Sequence, residues 1–117
     1  MLFRSALTRG LEADGERVHV LIHLSHVYTS GSSIYATYFF RRASDPAETL
    51  RRWKVLKDTA SHALMEEGAT ISHQHGVGAD HLPYMSVEKG EQGMSLIRNV
   101  CSHFDPVGIM NPGKLFE

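Results

Sequence analysis

The sequence predicts an α+β fold, an antiparallel sheet made of a hairpin plus a short strand and packed with two main helices. Three observations carry that expectation. Residues 17–28 alternate in polarity, with Val18, Val20, Ile22 and Leu24 facing one way and His19, Leu21, His23 and Ser25 the other. Residues 33–41 are dense in β-branched and aromatic side chains. The stripe Leu50, Trp53, Leu56, Ala60, Leu64 recurs at the helical period. Strands and helices mix without a strict βαβ order, which favours an antiparallel sheet with helices laid on it. A chain of 117 residues fits one domain, expected over 1–117.

The chain opens on residues 2–13, where Leu2, Phe3, Ala6, Leu7 and Leu11 follow a helical spacing and Gly15 follows the end. Thr29-Ser30-Gly31-Ser32 is rich in turn formers and joins the two strands as a hairpin. Asp45-Pro46-Ala47-Glu48 reads as a helix start, with an acid at the cap, proline at the first helical position and glutamate three residues after the cap. Gly68 stands where that helix would be capped at its C-terminus. Residues 69–72 are a short strand candidate, and 73–80 a polar, glycine-containing loop. A last helix is expected over about 91–104, with Met94, Ile97, Val100, Cys101 and Phe104 inward, stopped by Asp105-Pro106.

Composition narrows the functional classes. With 42% hydrophobic and 21% charged residues the chain can bury a core, and a net charge of −1 gives no electrostatic case for nucleic acid or an anionic membrane. No apolar run approaches the roughly 20 residues of a membrane span, and no secretory segment opens the chain. Cys101 is the one cysteine, so an internal disulfide is impossible and a cytoplasmic location is expected. The eight histidines stand out, because imidazole both titrates near neutrality and ligates metals.

Three ordered segments carry a family resemblance. They are His23-Leu-Ser-His26-Val-Tyr28, continuing through Gly31 to Ile34-Tyr35; then Gly68-Ala-Thr-Ile-Ser-His73-Gln-His75-Gly-Val-Gly78; then Asp105-Pro-Val-Gly-Ile-Met-Asn111-Pro-Gly-Lys114-Leu. In this order and spacing the chain resembles the C-terminal region of FAD-linked oxidases of the vanillyl-alcohol-oxidase superfamily, and within it the branch of alkyldihydroxyacetonephosphate synthase and its bacterial relatives. The likeness runs from Val18 to Leu115. It implies a ferredoxin-like type of cap domain over the flavin's reactive face, with 105–117 a tail returning to a flavin domain that lies upstream. The implied cofactor is FAD, bound mainly by that N-terminal domain. The implied substrate is a small oxygenated compound, a hydroxyacid or a glycerone-phosphate-like molecule, and the resemblance leaves room for a homo-oligomer. An opening in mid-helix fits a piece of such an enzyme, inactive alone.

The resemblance also implies roles for single residues. Tyr35 matches the tyrosine that acts as general acid/base in the synthase branch. A phenol ordinarily loses its proton near pH 10, so base work at neutral pH requires a nearby positive charge or strong hydrogen-bond donors. His73 and His75 match two of the three consecutive histidines of the synthases; Gln74 replaces the middle one and departs from the synthase pattern. On an extended segment His73 and His75 would point to opposite sides, unless the Gly76 and Gly78 loop bends the backbone. The implied catalytic residues are therefore Tyr35, His73 and His75. The implied cofactor contacts are His75, Asn111, Gly113 and Lys114.

Two other readings compete. Related D-2-hydroxyacid dehydrogenases hold a divalent metal on two histidines and a glutamate. Here His26 matches the first histidine, but Tyr35 falls on the second and Gln74 on the glutamate. A phenol and an amide are poor substitutes for those ligands, so no metal is expected. A stand-alone, non-catalytic binding domain of the same fold is the other alternative. His19, His23, His62, His81 and His103 show no paired metal spacing, Arg41, Arg42, Arg51 and Arg52 read as a solvated face, and Cys101 reads as a core residue.

Overall fold

The alternating segment becomes a long hairpin: β1 (Val18–Tyr28) pairs antiparallel with β2 (Gly31–Phe40) around a two-residue turn at Thr29-Ser30. Before them lie α1 (Leu2–Arg9) and a 3-10 turn (Glu12–Asp14); after them come α2 (Pro46–Glu66), a second 3-10 turn (Leu82–Tyr84) and α3 (Met85–Phe104). The computed structural model describes residues 2–116, which form two compact units, one ending at Ala63 and the other beginning at Leu64. No helix among the described residues is long and apolar enough to cross a membrane.

In the first unit, the core gathers at one end of the hairpin. Val18 and Val20, with Tyr38 and Phe40 opposite, pack with Leu7 and Leu11 and with Leu56 of α2. Leu7, Leu11 and Leu56 are fully buried, each contributing about 1.5–3 kcal/mol by leaving water. Gly10 lets the chain come this close to α2, since a Cβ there would meet Leu56 Cδ2 at 2.8 Å. The burial of Tyr38 pushes its phenol pKa up.

The start of α2 follows the sequence closely. The Asp45 carboxylate accepts from the Ala47 N–H at 2.9 Å, capping the helix with Pro46 at its first position. Glu48 does not close the capping box. Arg51 Nε donates to it at 2.7 Å and Arg52 Nε at 2.8 Å. These hydrogen bonds, Arg51 first and then Arg52, hold the Glu48 carboxyl down to about 2. The arginine cluster expected to be a solvated face is thus partly paired: Arg51 reaches Asp14 at 2.6 Å, and Arg52, 12% exposed, reaches Glu16 at 3.1 Å. Leu50, expected inward, is exposed.

The second unit begins at the end of α2, where Gly68, left-handed with φ 66°, closes the helix through Gly68 N–H to Met65 C=O and Ala69 N–H to Leu64 C=O. No third strand forms at 69–72 among the described residues. The Ile71 N–H that a ladder would use is instead donated to Glu88 Oε2 at 2.7 Å. Ile71, Tyr84, Met85 and Met94 make the core of this unit. α3 is broken at Gly90 (φ 67°, ψ 170°), so its long regular part starts at Glu91, where the sequence places it. Met94 and Ile97 face the core as expected. Val100 and Phe104 do not: Phe104 is 81% exposed, and both line an open cavity beside the C-terminal tail.

Candidate functional site: an open hairpin face, a histidine loop and a left-handed tail

One face of the hairpin carries the core residues, and the other is open. Its register sets His19 opposite Phe39, Leu21 opposite Thr37 and His23 opposite Tyr35, and these six side chains share the face turned away from Leu56. The ladder shifts between Leu24 and His26, which makes Ser25 an extra residue, a β-bulge. At the bulge, Ser25 Oγ and Ser33 Oγ lie 2.7 Å apart, and His26 Nδ1 stands 3.2 Å from the first and 3.3 Å from the second. Tyr35 is 55% exposed, and its ring lies 5.2 Å from the His23 ring with the planes tilted by 31°. His26 stacks on Tyr28 at 6.2 Å.

In the second unit, His73 and His75 sit on a loop whose approach is held by Glu88. Burial works against the charge of that carboxylate, but the Lys89 ammonium at 2.6 Å and the Ile71 N–H outweigh it and keep its pKa below the ordinary glutamate range. Ser72 Oγ donates to the His75 carbonyl at 3.0 Å, and Gln74 between the histidines is left-handed with φ 63°. A non-glycine residue in that region is uncommon, and it places the bend at Gln74 itself as well as at Gly78. His73 and His75 are both exposed. Tyr35 belongs to the first unit and these histidines to the second.

The tail is folded by Asp105. Its Oδ1 accepts from the N–H groups of Gly108 and Ile109, both at 3.1 Å, and its Oδ2 from Met110 at 2.7 Å. Beyond this clasp, Asn111, Gly113 and Leu115 are left-handed with φ of 47°, 67° and 68°. Of the three only Leu115 is strained by this, since glycine adopts the region freely and asparagine readily. Asn111, Gly113 and Lys114 line a cavity of about 980 Å³ together with Val100, Phe104 and Met110. Cys101, expected in the core, is half-buried on the same cavity. His75 is not among the residues lining it. Apolar walls with an amide, an ammonium and open backbone at one side suit a flat heterocycle with polar edges, so these three residues fit the flavin they are expected to touch. Among the described residues no group of three histidine, cysteine, aspartate or glutamate side chains is placed to hold a metal ion.

Three features of this geometry lie outside the sequence pattern: the contact of His23 with Tyr35, the bulge at Ser25, and the reach of Glu88 across seventeen residues of chain to Ile71. Only the first has a signal, the place of His23 on the same strand face as His19 and Leu21.

The comparisons with known proteins agree with the motifs. The chain is 29% identical over 102 residues to the alkyldihydroxyacetonephosphate synthase of Trypanosoma brucei brucei, a stretch that is 87% of this chain and 16% of that protein. It is 28% identical over 96 residues to the synthase of the same name from Dictyostelium discoideum, covering 82% of this chain and 15% of that one. It is also 28% identical over 113 residues to a D-lactate dehydrogenase of Anaerostipes hadrus, covering 92% of this chain and 22% of the relative. The chain thus spans less than a quarter of the length of each of these relatives. No solved structure matches it. The family model for FAD linked oxidases, C-terminal domain, matches residues 4–115, and the chain belongs to that family.

Proposed function

We propose that this chain covers the reactive face of a flavin and supplies the proton-transfer and substrate-orienting groups of an FAD-dependent oxidoreductase or an alkylglycerone-phosphate-synthase-like enzyme. The observation that carries the reading is the open hairpin face, on which the bulge turns Tyr35 outward beside His23 instead of into the core. In this reading the FAD is held mainly by an N-terminal flavin domain of the same polypeptide. Residues 105–117 return to that domain, with Asn111, Gly113, Lys114 and His75 touching the cofactor. A cytoplasmic setting, in which Cys101 stays a thiol, belongs to the same reading.

FAD would supply the electron acceptor or the carbon-activating chemistry; this chain's residues move protons and hold the substrate. For a hydroxyacid, Tyr35 Oη takes the hydroxyl proton, and the hydride from the carbon would pass to the electron acceptor that FAD supplies. For a glycerone-phosphate-like substrate, the same oxygen takes and returns a proton at carbon. His73 and His75 serve as hydrogen-bond donors to substrate oxygens. The names of the relatives, a synthase of alkyldihydroxyacetonephosphate and a dehydrogenase of D-lactate, support both substrate classes.

The test is made on the polypeptide that joins this chain to a flavin domain. A panel of 2-hydroxyacids and glycerone-phosphate esters is added anaerobically, and flavin absorbance is followed. Bleaching by one class of substrate, or product formation without net bleaching for the esters, is the expected result. A flavoprotein inert to both classes contradicts the proposal.

A further inference from the structure

We infer that Asp105 is a positioning residue for the tail, the group that sets where Asn111, Gly113 and Lys114 stand along their cavity. The clasp is read from the geometry; its use rests on the function proposed above, in which those three residues touch the flavin. Asp105 ends α3: its N–H still donates to the Cys101 C=O at 2.8 Å, but its own backbone has left the helix. Pro106 follows with a fixed φ, and the left-handed Gly108 (φ 71°) completes the reversal. Three successive N–H groups, of Gly108, Ile109 and Met110, then meet the two carboxylate oxygens. Hydrogen bonds to an ionised acceptor are roughly twice as strong as neutral ones. Packing does not hold this turn, since Val107 and Ile109 are 80% and 74% exposed. The carboxylate does.

The far end of the tail has a different anchor, because Leu115 and Phe116 pack against the core of Ile71, Tyr84, Met85 and Met94. Between the two anchors, Asn111–Lys114 is a turn closed by the Lys114 N–H on the Asn111 C=O at 3.2 Å, and it lines the cavity with Val100, Cys101 and Phe104 of α3. A short span fixed at both ends keeps one path. Released at Asp105, it samples others, and only the fraction still in place can meet a ligand in the cavity. Apparent affinity falls by that fraction. An amide at position 105 would replace the clasp only in part. It offers one oxygen where the carboxylate offers two, and it turns an NH2 group toward an N–H.

Two readouts test the inference, and neither is turnover. Hydrogen exchange on this chain reads the clasp. Asp105→Ala should speed exchange at Ile109 and Met110, and less at Gly108, whose N–H also reaches the Asp105 C=O at 3.1 Å. The dissociation constant for FAD, measured on the polypeptide that joins this chain to a flavin domain, reads its use. Asp105→Ala should raise that constant by about tenfold, and Asp105→Asn by less. A double-mutant cycle with Lys114→Met separates positioning from a general loss of stability. If Asp105 acts through the tail, the double variant should lose less affinity than the product of the two single losses. Unchanged exchange in Asp105→Ala overturns the inference, as does an unchanged dissociation constant. So do losses that simply multiply in the cycle, which would mean that Asp105 acts elsewhere. If FAD affinity follows the expected pattern while the flavoprotein is inert to every substrate, the positioning stands and the functional proposal alone is lost.

Discussion

His23 and Tyr35 stand opposite each other because Ser25 is one residue more than a regular ladder would hold. The turn pairs Tyr28 with Gly31, and a ladder continued from there without interruption would set Leu24, not His23, across from Tyr35. Tyr35, Thr37 and Phe39 would then share the face of Val18 and Val20 and enter the core. The bulge turns them to the open side. A single extra residue therefore decides whether the tyrosine enters the core or stays on the open face.

The core that anchors this hairpin depends on Leu56. It is fully buried and touches both the α1 segment and the strands, so Leu56→Ala removes apolar contacts where Gly10 leaves no slack. The expected loss is about 2–5 kcal/mol. Urea unfolding followed by circular dichroism checks it, and a loss below about 1 kcal/mol would mean that the cluster can collapse around the gap.

Acid should weaken the first unit through Glu48. Its folded pKa is held down to about 2 by Arg51 and Arg52, below the ordinary value near 4.3 of an unfolded glutamate. A depressed carboxylate stabilises above the unfolded pKa, and the contribution disappears as pH falls from about 5 through about 2. Thermal melts over that range should show a declining midpoint, and Glu48→Gln should flatten part of the decline. An unchanged slope in that variant would place the acid sensitivity elsewhere.

Much of this arrangement was legible beforehand. Asp45-Pro46 marks the start of α2 because both the cap and the fixed proline φ are local properties, and Gly68 marks its end for the same reason. What escaped depends on distant partners. Residues 69–72 have strand-forming composition, yet the Ile71 N–H is claimed by a carboxylate on α3. Val100 and Phe104 keep the helical spacing of Met94 and Ile97 but lie over the tail's cavity. Three family motifs were readable from residues 23–35, 68–78 and 105–115. How each one bends was not, because the bulge at Ser25 leaves no mark in the alternation and the left-handed Gln74 and Leu115 run against side-chain preference, Asn111 alone being of a type that adopts that region readily.

Glu88 should matter to the loop that bears His73 and His75. Its side chain is 11% exposed and satisfies the buried Ile71 N–H. Glu88→Ala leaves that donor without a partner, at a cost of about 1–3 kcal/mol, whereas Glu88→Gln keeps an acceptor and should cost less. Hydrogen exchange at Ile71 reads the effect directly: faster exchange in the Ala variant is expected, and identical protection in both would show that the carboxylate does not hold the loop.

FAD alone should bind this chain weakly. The tail offers Asn111, Gly113 and Lys114, but no glycine-rich phosphate-binding loop is present in the sequence to cradle a pyrophosphate. A fluorescence titration of FAD should show no saturation at low micromolar concentration. Tight stoichiometric binding there would mean that the chain carries a flavin site of its own.

The most direct measurement is single-turnover chemistry in the flavoprotein that contains this chain, comparing native enzyme with Tyr35→Phe. The substitution removes one hydroxyl from a half-exposed ring, so flavin content and melting temperature should hardly change. Loss of a general acid/base is worth about 10²–10⁴ in rate, and a fall of that size in flavin bleaching, or in product formation for an ester substrate, is the predicted result. Turnover within a few-fold of the native rate, with chemistry limiting, would contradict the account and return Tyr35 to the role of a surface aromatic on an unfinished sheet.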